Sequence, residues 1–394
     1  CYLPIKVTSL GVNHIKPNKD ILSLDAKKFK FLHVSSCFPR KGINALLNAY
    51  QNAFNNNDDV SLIIKTFDNL HNNIDELLKK LNQENPLFPD VIVIKDDYSQ
   101  LEISSLYRLC DVYLAPSHGE GFGLPIAEAM LFSIPVITTS WGGQNDFVNE
   151  DNAWLIDYDF SYSESHFDLF DSVWASPSSD HLSQIMKDLL NEKKDVIKKK
   201  TILAKDSVVE NLKWSNVASK NYEFIQNLSK FKSKKLPFVG FVTTWNTRCG
   251  IASYCFSLLS NFKHKYKIFA PYADDKISND SNNVERCWET DKNLDVKLIN
   301  SIIKNKITTV VIQFNYGFFE FKSFSEFIDE LFINKINVIV LLHSTIDPNN
   351  NPDKSLALVV NTLKKCDRLL VHSVKDINIL KGHGLVDNVS IFPH

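Results

Sequence analysis

The sequence predicts an α/β protein with two domains, each a parallel β-sheet covered by helices on both faces. Three observations lead to this prediction: a length of 394 residues, strand candidates that are continuous apolar runs, and helical segments between them. The length is enough for two or three domains. Runs of Val, Ile and Leu without polar alternation are typical of strands buried on both faces of a sheet. Their alternation with helices indicates doubly wound, Rossmann-like domains.

The strand candidates form two sets along the chain. Those of the first set are residues 31–36, 60–66, 91–95, 110–115, 134–138 and 153–157. Those of the second set are residues 238–243, 266–270, 308–314, 337–343, 368–372 and 389–392. The clearest helical patterns between them are residues 43–54, 101–109 and 321–332. The polar stretch 158–180 is interpreted as a surface excursion of the first domain.

The boundary between the two sets lies near residues 229–236. A long helical stretch over residues 214–230 ends there, and a lysine-rich segment and Pro237 precede a new strand candidate. We therefore predict domains at residues 1–230 and 236–394. The two halves do not repeat each other's motifs, so the sequence does not predict a simple internal duplication.

Composition and charge exclude several classes of protein. The chain is 44% hydrophobic and 23% charged with a net charge of −2, which argues against nucleic acid as a main partner because phosphate backbones require a basic face. Two lysine clusters, at residues 198–200 and 232–235, are interpreted as solvated surface. Peripheral association with a membrane surface is the alternative interpretation of these clusters.

The cysteine pattern and the apolar runs predict a cytoplasmic protein. Seven cysteines are scattered, odd in number and free of CxxC spacing, which fits a reducing compartment better than a disulfide framework or a zinc site. No apolar run reaches the roughly 18 residues that span a bilayer, and no signal peptide is recognised. The sequence also offers no metal-ligand cluster, so we expect no metal and no cofactor.

The most informative segment is residues 118–128, which reads His-Gly-Glu-Gly-Phe-Gly-Leu-Pro-Ile-Ala-Glu. It follows a buried strand candidate and opens an apolar helix over residues 125–132, and ligands of open α/β sheets bind at such carboxyl ends of strands. Gly121 and Gly123 let the backbone approach a ligand closely, and Pro125 suits the first turn of a helix. The N–H groups at that helix start can bind phosphate.

Two carboxylates, Glu120 and Glu128, stand eight positions apart around this turn. One lies in the loop before the helix and the other lies a turn inside the helix. They can therefore hold the hydroxyls of a sugar and of a ribose while the backbone holds a diphosphate between them. Taken singly, each has a plainer interpretation, as a loop carboxylate or a solvated helix residue.

The segment resembles the E-x7-E signature of the family-4 retaining glycosyltransferases, whose GT-B fold has two Rossmann-like domains facing across a cleft. The resemblance extends over most of residues 30–225. Residues 34–42 resemble the family's phosphate-contacting loop, residues 106–117 its strand before the signature, and residues 135–143 the strand and turn that follow. Trp214 stands where the last helix of the family begins.

The resemblance implies a role for each of these residues. Glu120 would contact the donor sugar and Glu128 the ribose. Phosphate or sugar would meet the backbone of Gly121, Phe122, Gly123 and Leu124. Lys41, together with Arg40, would offset the diphosphate charge as the leaving group departs.

Two positions in the first half leave alternatives open. Many relatives carry a further arginine shortly before the lysine, and Ser35 and Ser36 stand there in this chain, so Arg40 is taken as the substitute. The absent arginine weakens the predicted clamp on the leaving group. His118 either belongs to the donor site or only caps the end of a strand.

The second half resembles the acceptor-side domain of a GT-B enzyme. Residues 243–254 contain the Trp-Asn-x-x-Cys-Gly-Ile-Ala pattern of one subgroup, and Gly250 opens a helix there. His343 stands where such enzymes often hold a histidine in the cleft, or is a satisfied histidine at a strand end. For Arg248 there are two interpretations: the side chain reaches a phosphate, or it is solvated by water. We take Gly250, Arg248 and His343 as candidates for the acceptor side.

The order of the two halves, donor type before acceptor type, is the reverse of one GT-B enzyme. The chain opens on Cys1, and residues 391–394 resemble the strand before an interdomain linker. We therefore expect a fragment of a tandem glycosyltransferase, with the donor-binding domain of one unit and the acceptor-side domain of the next. A naturally permuted enzyme is the alternative.

The resemblance implies transfer of a hexosyl group from a nucleoside diphosphate sugar to a glycan or lipid-linked acceptor, with retention, in polysaccharide biosynthesis. One alternative is a non-catalytic glycosyltransferase-like binding module, which the absent arginine and the split halves favour and the two glutamates oppose. Another is a different GT-B enzyme, such as a nucleotide-sugar epimerase or an inverting transferase. The E-x7-E segment disfavours that class, and no second carboxylate is placed as an inverting base.

Overall fold

The computed structural model describes residues 5–16, 22–165, 171–228, 237–292, 294, 296–349 and 351–392. The chain divides into two compact units, Cys1–Ser233 and Lys234–His394. Three predictions of the sequence lie outside the described residues: the boundary at residues 229–236, the lysine cluster within it, and the last two residues of the segment 391–394.

The first unit is built on a six-stranded parallel sheet. Its strands are β1 (Phe29–Val34), β2 (Val60–Lys65), β3 (Asp90–Ile94), β4 (Val112–Ala115), β5 (Val136–Thr139) and β6 (Trp154–Ile156). They lie in the order β3-β2-β1-β4-β5-β6, and every pair is parallel. The order reverses between β1 and β4, and in sheets of this topology ligands bind at that switch point, beyond the carboxyl ends of the strands.

Helices cover both faces of this sheet. They are α1 (Ile43–Ala53), α2 (Ile74–Glu84), α3 (Gln100–Leu109), α4 (Leu124–Leu131), α5 (Ser179–Asn191), α6 (Lys194–Asn211) and α7 (Trp214–Leu228). Successive residues of β1 point into two different cores: Phe31 packs with Leu46 of α1, whereas Leu32 packs with Met130 of α4. Burial on both faces is why these strands lack polar alternation.

An antiparallel hairpin lies within the predicted surface excursion. It pairs β7 (Tyr158–Tyr162) with β8 (Val173–Pro177), and the residues 166–170 between them are not described. Tyr158 and Phe160 are buried while Asp159 between them is exposed. This alternation with period two was the available sequence signal for a strand.

The second unit repeats the same architecture with one more strand. Its strands are β9 (Val239–Val242), β10 (Tyr266–Pro271), β11 (Val284–Trp288), β12 (Thr309–Phe314), β13 (Asn337–Leu342), β14 (Arg368–Val371) and β15 (Val389–Ile391). Its helices are α8 (Gly250–Ser260), α9 (Val296–Lys304), α10 (Phe321–Ile333), α11 (Val360–Lys365) and α12 (Val374–Gly382). The sheet is parallel, in the order β11-β10-β9-β12-β13-β14-β15. The predicted fold class, two Rossmann-like doubly wound α/β domains, is confirmed.

Strand β11 was not predicted, because charged side chains interrupt its apolar pattern. Glu285 forms an ion pair with Lys267 of the neighbouring strand, and Arg286 forms one with Asp280. The strand lies at the edge of its sheet, where charged side chains are common.

Within the described ranges, none of the helices is both long and apolar enough to cross a membrane.

Candidate functional site

Three loops meet at the carboxyl edge of the first sheet, at its switch point. The loop after β1 forms a 3-10 turn, Pro39–Lys41, that ends at Gly42 with a φ of +71°. A β-carbon added at Gly42 would lie 1.8 Å from the carbonyl oxygen of Pro116, so only glycine lets this loop pass so close to the loop after β4. The N–H of His118 donates to the carbonyl of Arg40 over 2.8 Å and ties the two loops together.

The loop after β5 closes on the same place. The N–H of Gly143 donates to the carbonyl of Glu120 over 2.8 Å. A β-carbon at Gly143 would lie 2.1 Å from the carbonyl oxygen of Gly121, so this contact also requires a glycine. The backbone around Glu120 is therefore fixed from both sides.

The carboxylate of Glu120 lies among the predicted cations. Its Oε1 accepts hydrogen bonds from Lys41 Nζ at 2.6 Å and from Ser117 Oγ at 2.8 Å. The guanidinium Nη1 of Arg40 lies 3.6 Å from its Oε2 and donates to the carbonyl of Gly119. The side chain of Glu120 is only 9% exposed. The structure thus brings the three predicted catalytic residues into one charged cluster.

Glu128 has different partners. It is buried on α4, where Tyr107 donates to Oε2 at 3.0 Å and His14 Nε2 lies 3.1 Å from Oε1. Burial raises the pKa of this carboxyl, and the contacts with Tyr107 and His14 act against that rise. Burial is the main reason that the pKa of Tyr113 is raised, and the charges of Glu120 and Glu128 raise it further. The two carboxylates therefore flank the end of β4.

His14 reaches Glu128 because its segment is held against the junction of α6 and α7. The N–H of Val12 donates to the carbonyl of Leu212, and the N–H of Trp214 donates to Asn13 Oδ1, both over 2.9 Å. The sequence analysis did not identify His14, Tyr107 or Ser117 as part of the site. His14 and Glu128 are 114 residues apart, and no local spacing signals a contact over that distance.

His118 is held by the hairpin. Its ring stacks on Trp174 with the centroids 4.1 Å apart, and its carbonyl accepts from the N–H of Ala175. Burial lowers its pKa to about 4, so the imidazole is neutral near neutral pH. The geometry therefore shows a packed, neutral histidine beside the Glu120 loop, and its part in ligand binding stays a prediction.

The glycine-rich backbone leads directly into α4. Gly123, with a φ of +83°, is the residue that caps the amino end of the helix, and Leu124 is the first helical residue. A glycine cap has no side chain, so it does not compete for the N–H groups of the first turn. The space beside Cα of Gly121 is open, and Phe122 packs on Phe147 with centroids 5.1 Å apart. The resulting surface suits an anion.

The position of the absent arginine is occupied by a neutral hydrogen-bond network. His33 is fully buried, and its Nδ1 donates to the carbonyl of Leu114 at 2.8 Å while its Nε2 lies 2.7 Å from Ser35 Oγ. Burial, helped by the charge of Lys41, lowers the pKa of His33 to about 4. Ser35 also accepts from the N–H of Cys37, so it serves the shape of the loop.

The acceptor-side candidates lie in the second unit. Gly250 begins α8, and Arg248 is exposed in the loop before it. His343 follows β13, where its Nε2 hydrogen-bonds with Oε1 of the buried Gln313. The His343 ring packs edge-on against Tyr254 of α8, with centroids 5.1 Å apart. A polar, hydrogen-bonded cluster thus stands at the carboxyl edge of the second sheet.

Across the residues that the structure describes, no group of three or more His, Cys, Asp and Glu side chains is arranged to hold a metal ion.

Comparison with known proteins gives a family for the first unit. Residues 15–164 match the family described as Glycosyl transferases group 1. The capsular polysaccharide biosynthesis glycosyltransferase CapM of Staphylococcus aureus is 28% identical over 158 residues, 38% of this chain and 40% of that protein. An uncharacterized glycosyltransferase of Methanocaldococcus jannaschii is 29% identical over 140 residues, 33% of this chain and 34% of its own length. The chain thus spans less than half the length of these curated relatives.

Among solved structures, the sucrose-phosphate synthase of Thermosynechococcus elongatus matches 57% of this chain and 52% of its own, with 19% identity and a TM-score of 0.45. The C-terminal domain of a group 1 family glycosyl transferase from Francisella tularensis matches 48% of this chain and 88% of its own, with 23% identity and a TM-score of 0.38. The matched region holds Glu120, Glu128, Lys41 and Arg40. The family match agrees with the family predicted from the signature, and it covers residues 15–164 of this chain.

Proposed function

We propose that the first unit binds a nucleoside diphosphate sugar and that its hexosyl group is transferred, with retention and without a metal, to a glycan or lipid-linked acceptor. The observation that carries this proposal is the cluster of Glu120, Lys41 and Arg40 beside the glycine-capped start of α4. Polysaccharide biosynthesis is the process we propose for it.

The diphosphate is the part of the ligand that needs the most positive charge. Lys41 and Arg40 supply it from one loop, and the N–H groups of Gly123 and Leu124 supply oriented dipoles from the start of α4. The next residue, Pro125, has no N–H, and the two N–H groups that follow donate to the carbonyl of Gly123. The cations and the oriented dipoles are already in place before the reaction, which is how an enzyme stabilises charge that develops on a leaving group. In the proposed complex Lys41 exchanges its contact with Glu120 for one with phosphate.

Glu120 then becomes available to the sugar. An ionised carboxylate accepts about four hydrogen bonds, and in the structure Oε1 of Glu120 accepts from Lys41 and Ser117. Release of Lys41 frees acceptor positions for sugar hydroxyls. Glu128 has a similar capacity: Tyr107 and His14 contact one oxygen each, which leaves room for a ribose hydroxyl.

The second unit is proposed as an acceptor-side domain. Support comes from the segment 243–254 and from the hydrogen-bonded cluster around His343 at the carboxyl edge of its sheet. Gly250 and Arg248 stay candidates for contact with an acceptor. The replacement of the usual arginine by Ser35 favours a second candidate function, a binding module that holds the donor without transferring it.

Calorimetric titration of the chain with UDP-, GDP- and ADP-sugars tests donor binding. At least one donor should bind, and Lys41→Met should lower the affinity for that donor by at least about tenfold, because a charge-assisted contact with phosphate is lost. Glu84→Gln, at an exposed glutamate of α2, is the matched control and should change nothing. Absence of heat for every donor at millimolar concentration would remove the proposal. Donor hydrolysis or transfer, measured on the same samples, separates an enzyme from a binding module.

A further inference from the structure

The second unit contains a cavity beside the segment 243–254 that is proposed for the acceptor side. It has a volume of about 480 Å³ and lies between the loop after β9, the first turns of α8 and the loop that joins β10 to β11. Cavities of roughly 300–1,000 Å³ are the usual size of small-molecule sites. Its lining residues are 245–247, 252, 253, 256, 257, 277–279 and 281.

One wall of this cavity is fixed by a single asparagine. Asn246 has a φ of +54°, a conformation that asparagine tolerates better than most residues. Its Nδ2 donates to the carbonyl of Ser278 at 2.6 Å and to Asp280 Oδ1 at 3.0 Å, and its Oδ1 accepts from the N–H of Ser278. The loop of residues 277–281 is therefore tied to the loop after β9.

The charges of Arg286 and Asp280 are paired with each other beside this wall. Arg286 binds Asp280 through two hydrogen bonds, of 2.8 Å and 3.0 Å, and this contact lowers the pKa of Asp280. The remaining donors of Arg286 go to the carbonyls of Pro271 and Trp245. Neither Arg286 nor Asp280 lines the cavity, and among the described residues its lining has no charged side chain.

The lining combines aromatic surface with hydroxyl groups. The ring centroids of Trp245 and Phe256 lie 5.9 Å apart. Phe256 is 62% exposed, and Ile277, across the cavity, is 66% exposed. Thr247 and Ser257 bring hydroxyls to the same space. Large apolar side chains that are exposed together commonly mark a binding surface.

This lining matches one class of ligand. A purely aliphatic ligand would bury hydroxyls and amides without partners, which costs free energy. A phosphorylated ligand would find no cation in the lining itself, because Arg248 follows Thr247 in the chain but does not line the cavity. A sugar ring has an apolar C–H face and an edge of hydroxyls, and so it can satisfy both kinds of surface at once.

We propose that this cavity binds a neutral saccharide unit, with its C–H face on Trp245 and Phe256 and its hydroxyls toward Thr247, Ser257 and Asn279. The proposal rests on the proposed acceptor-side function of the second unit and does not depend on donor binding by the first. Asn246 and the pair of Arg286 and Asp280 hold the cavity open in the absence of a ligand, which reduces the entropy cost of binding.

The test is saturation-transfer NMR on the 394-residue chain with three probes: maltotetraose, cellotetraose and chitotetraose. At least one should bind, and Phe256→Ala should weaken it by about tenfold or more, whereas Phe256→Tyr keeps a ring and should stay within about threefold. Ser257→Lys, which fills the cavity from the exposed side of α8, should abolish binding. Tyr222→Ala is the matched control, because Tyr222 is also on a helix and also 62% exposed.

Three results would overturn the proposal. The first is that none of the three oligosaccharides binds at millimolar concentration. The second is binding that both Phe256→Ala and Ser257→Lys leave unchanged while circular dichroism shows both variants folded. The third is occupation of the cavity by an aliphatic probe, 1-decanol, that leaves the oligosaccharide bound, because this would place the saccharide outside the cavity.

Discussion

The two units share a strand order but differ in the chemistry at the carboxyl edge of their sheets. In the first unit this edge is ionic, with Glu120 held between Lys41 and Arg40. In the second, His343 forms a hydrogen bond with the neutral, buried Gln313 in place of an ion pair. The comparison shows that the shared topology places polar side chains at the same edge of both sheets, whereas the loops set the chemistry of those side chains.

The loops of the two edges are also fixed by different means. In the first unit, glycines allow loops to pass within van der Waals contact, as Gly42 and Gly143 do. In the second, side chains tie the loops together, through Asn246 and through Arg286 with Asp280. A close contact at a glycine is disrupted by any added side chain. A contact made by side-chain hydrogen bonds loses only the bonds of the residue that is replaced. Substitutions should therefore affect the two edges unequally.

The largest effect should come from Gly42→Ala. The new methyl would meet the carbonyl of Pro116 at 1.8 Å while the backbone keeps a φ of +71°, so the free energy of unfolding should fall by at least about 3 kcal/mol. Gly384→Ala is the control, because Gly384 has a φ of +74° but open space around it, and should cost only about 1–2 kcal/mol. Denaturant titration measures both. Equal losses would show that the loops of the first edge are not interlocked.

Acid should destabilise the first unit through His33 and His118. The pKa of each is lowered to about 4 from an ordinary value of 6.5, so the unfolded chain takes up protons first as the pH falls. Stability should be full above about pH 6.5 and decline toward pH 4, with His33 contributing roughly 2–3 kcal/mol of the loss. His33→Gln should flatten this decline in melting curves between pH 7 and 4.5. An unchanged pH dependence would contradict the assigned burial of a neutral His33.

In the second unit, Asp280→Asn should have a smaller effect. It weakens the contacts of Arg286 and Asn246 with the loop of residues 277–281 but leaves the sheet intact, so we expect a loss of about 1 kcal/mol. The pKa of Asp280 is lowered in the folded chain, so its contribution is present near neutral pH and is lost in acid. Wild type and variant should therefore converge in stability at low pH. A difference that persists in acid would exclude the charge pair as its cause.

The smallest effect should be a gain in stability in Glu128→Gln. Because burial raises the pKa of Glu128, the folded chain favours its protonated form, and the ionised form costs stability near neutral pH. A neutral side chain of the same shape should therefore raise the melting temperature slightly, and the gain should vanish in acid as the native carboxyl is protonated. A lower melting temperature at pH 7 would show that the contacts with His14 and Tyr107 outweigh burial.

Much of the fold could be predicted from the sequence because the buried strands are continuous apolar runs. β1 and β4 are examples, and both were located within two residues of their observed bounds. β11 was missed because Glu285 and Arg286 make an edge strand look like a loop.

The site was predicted less completely than the fold. Lys41 and Glu120 could be named from the signature and its resemblance to a family, although what they bind stays a prediction. His14 and Trp174 could not be named, because they reach their partners across 114 and 56 residues and only the folded chain brings them there.

The most direct test of the account compares a nucleoside diphosphate sugar with the matching free nucleoside diphosphate by calorimetry. Glu120→Gln should lower the affinity for the sugar nucleotide by at least about tenfold and should change the affinity for the free diphosphate by less than about threefold, because Glu120 is assigned to the sugar. Glu128→Gln should lower the affinity for both ligands, because Glu128 is assigned to the ribose and both ligands contain it. Equal losses for both ligands in both variants would contradict the assignment of the two carboxylates to different parts of the donor.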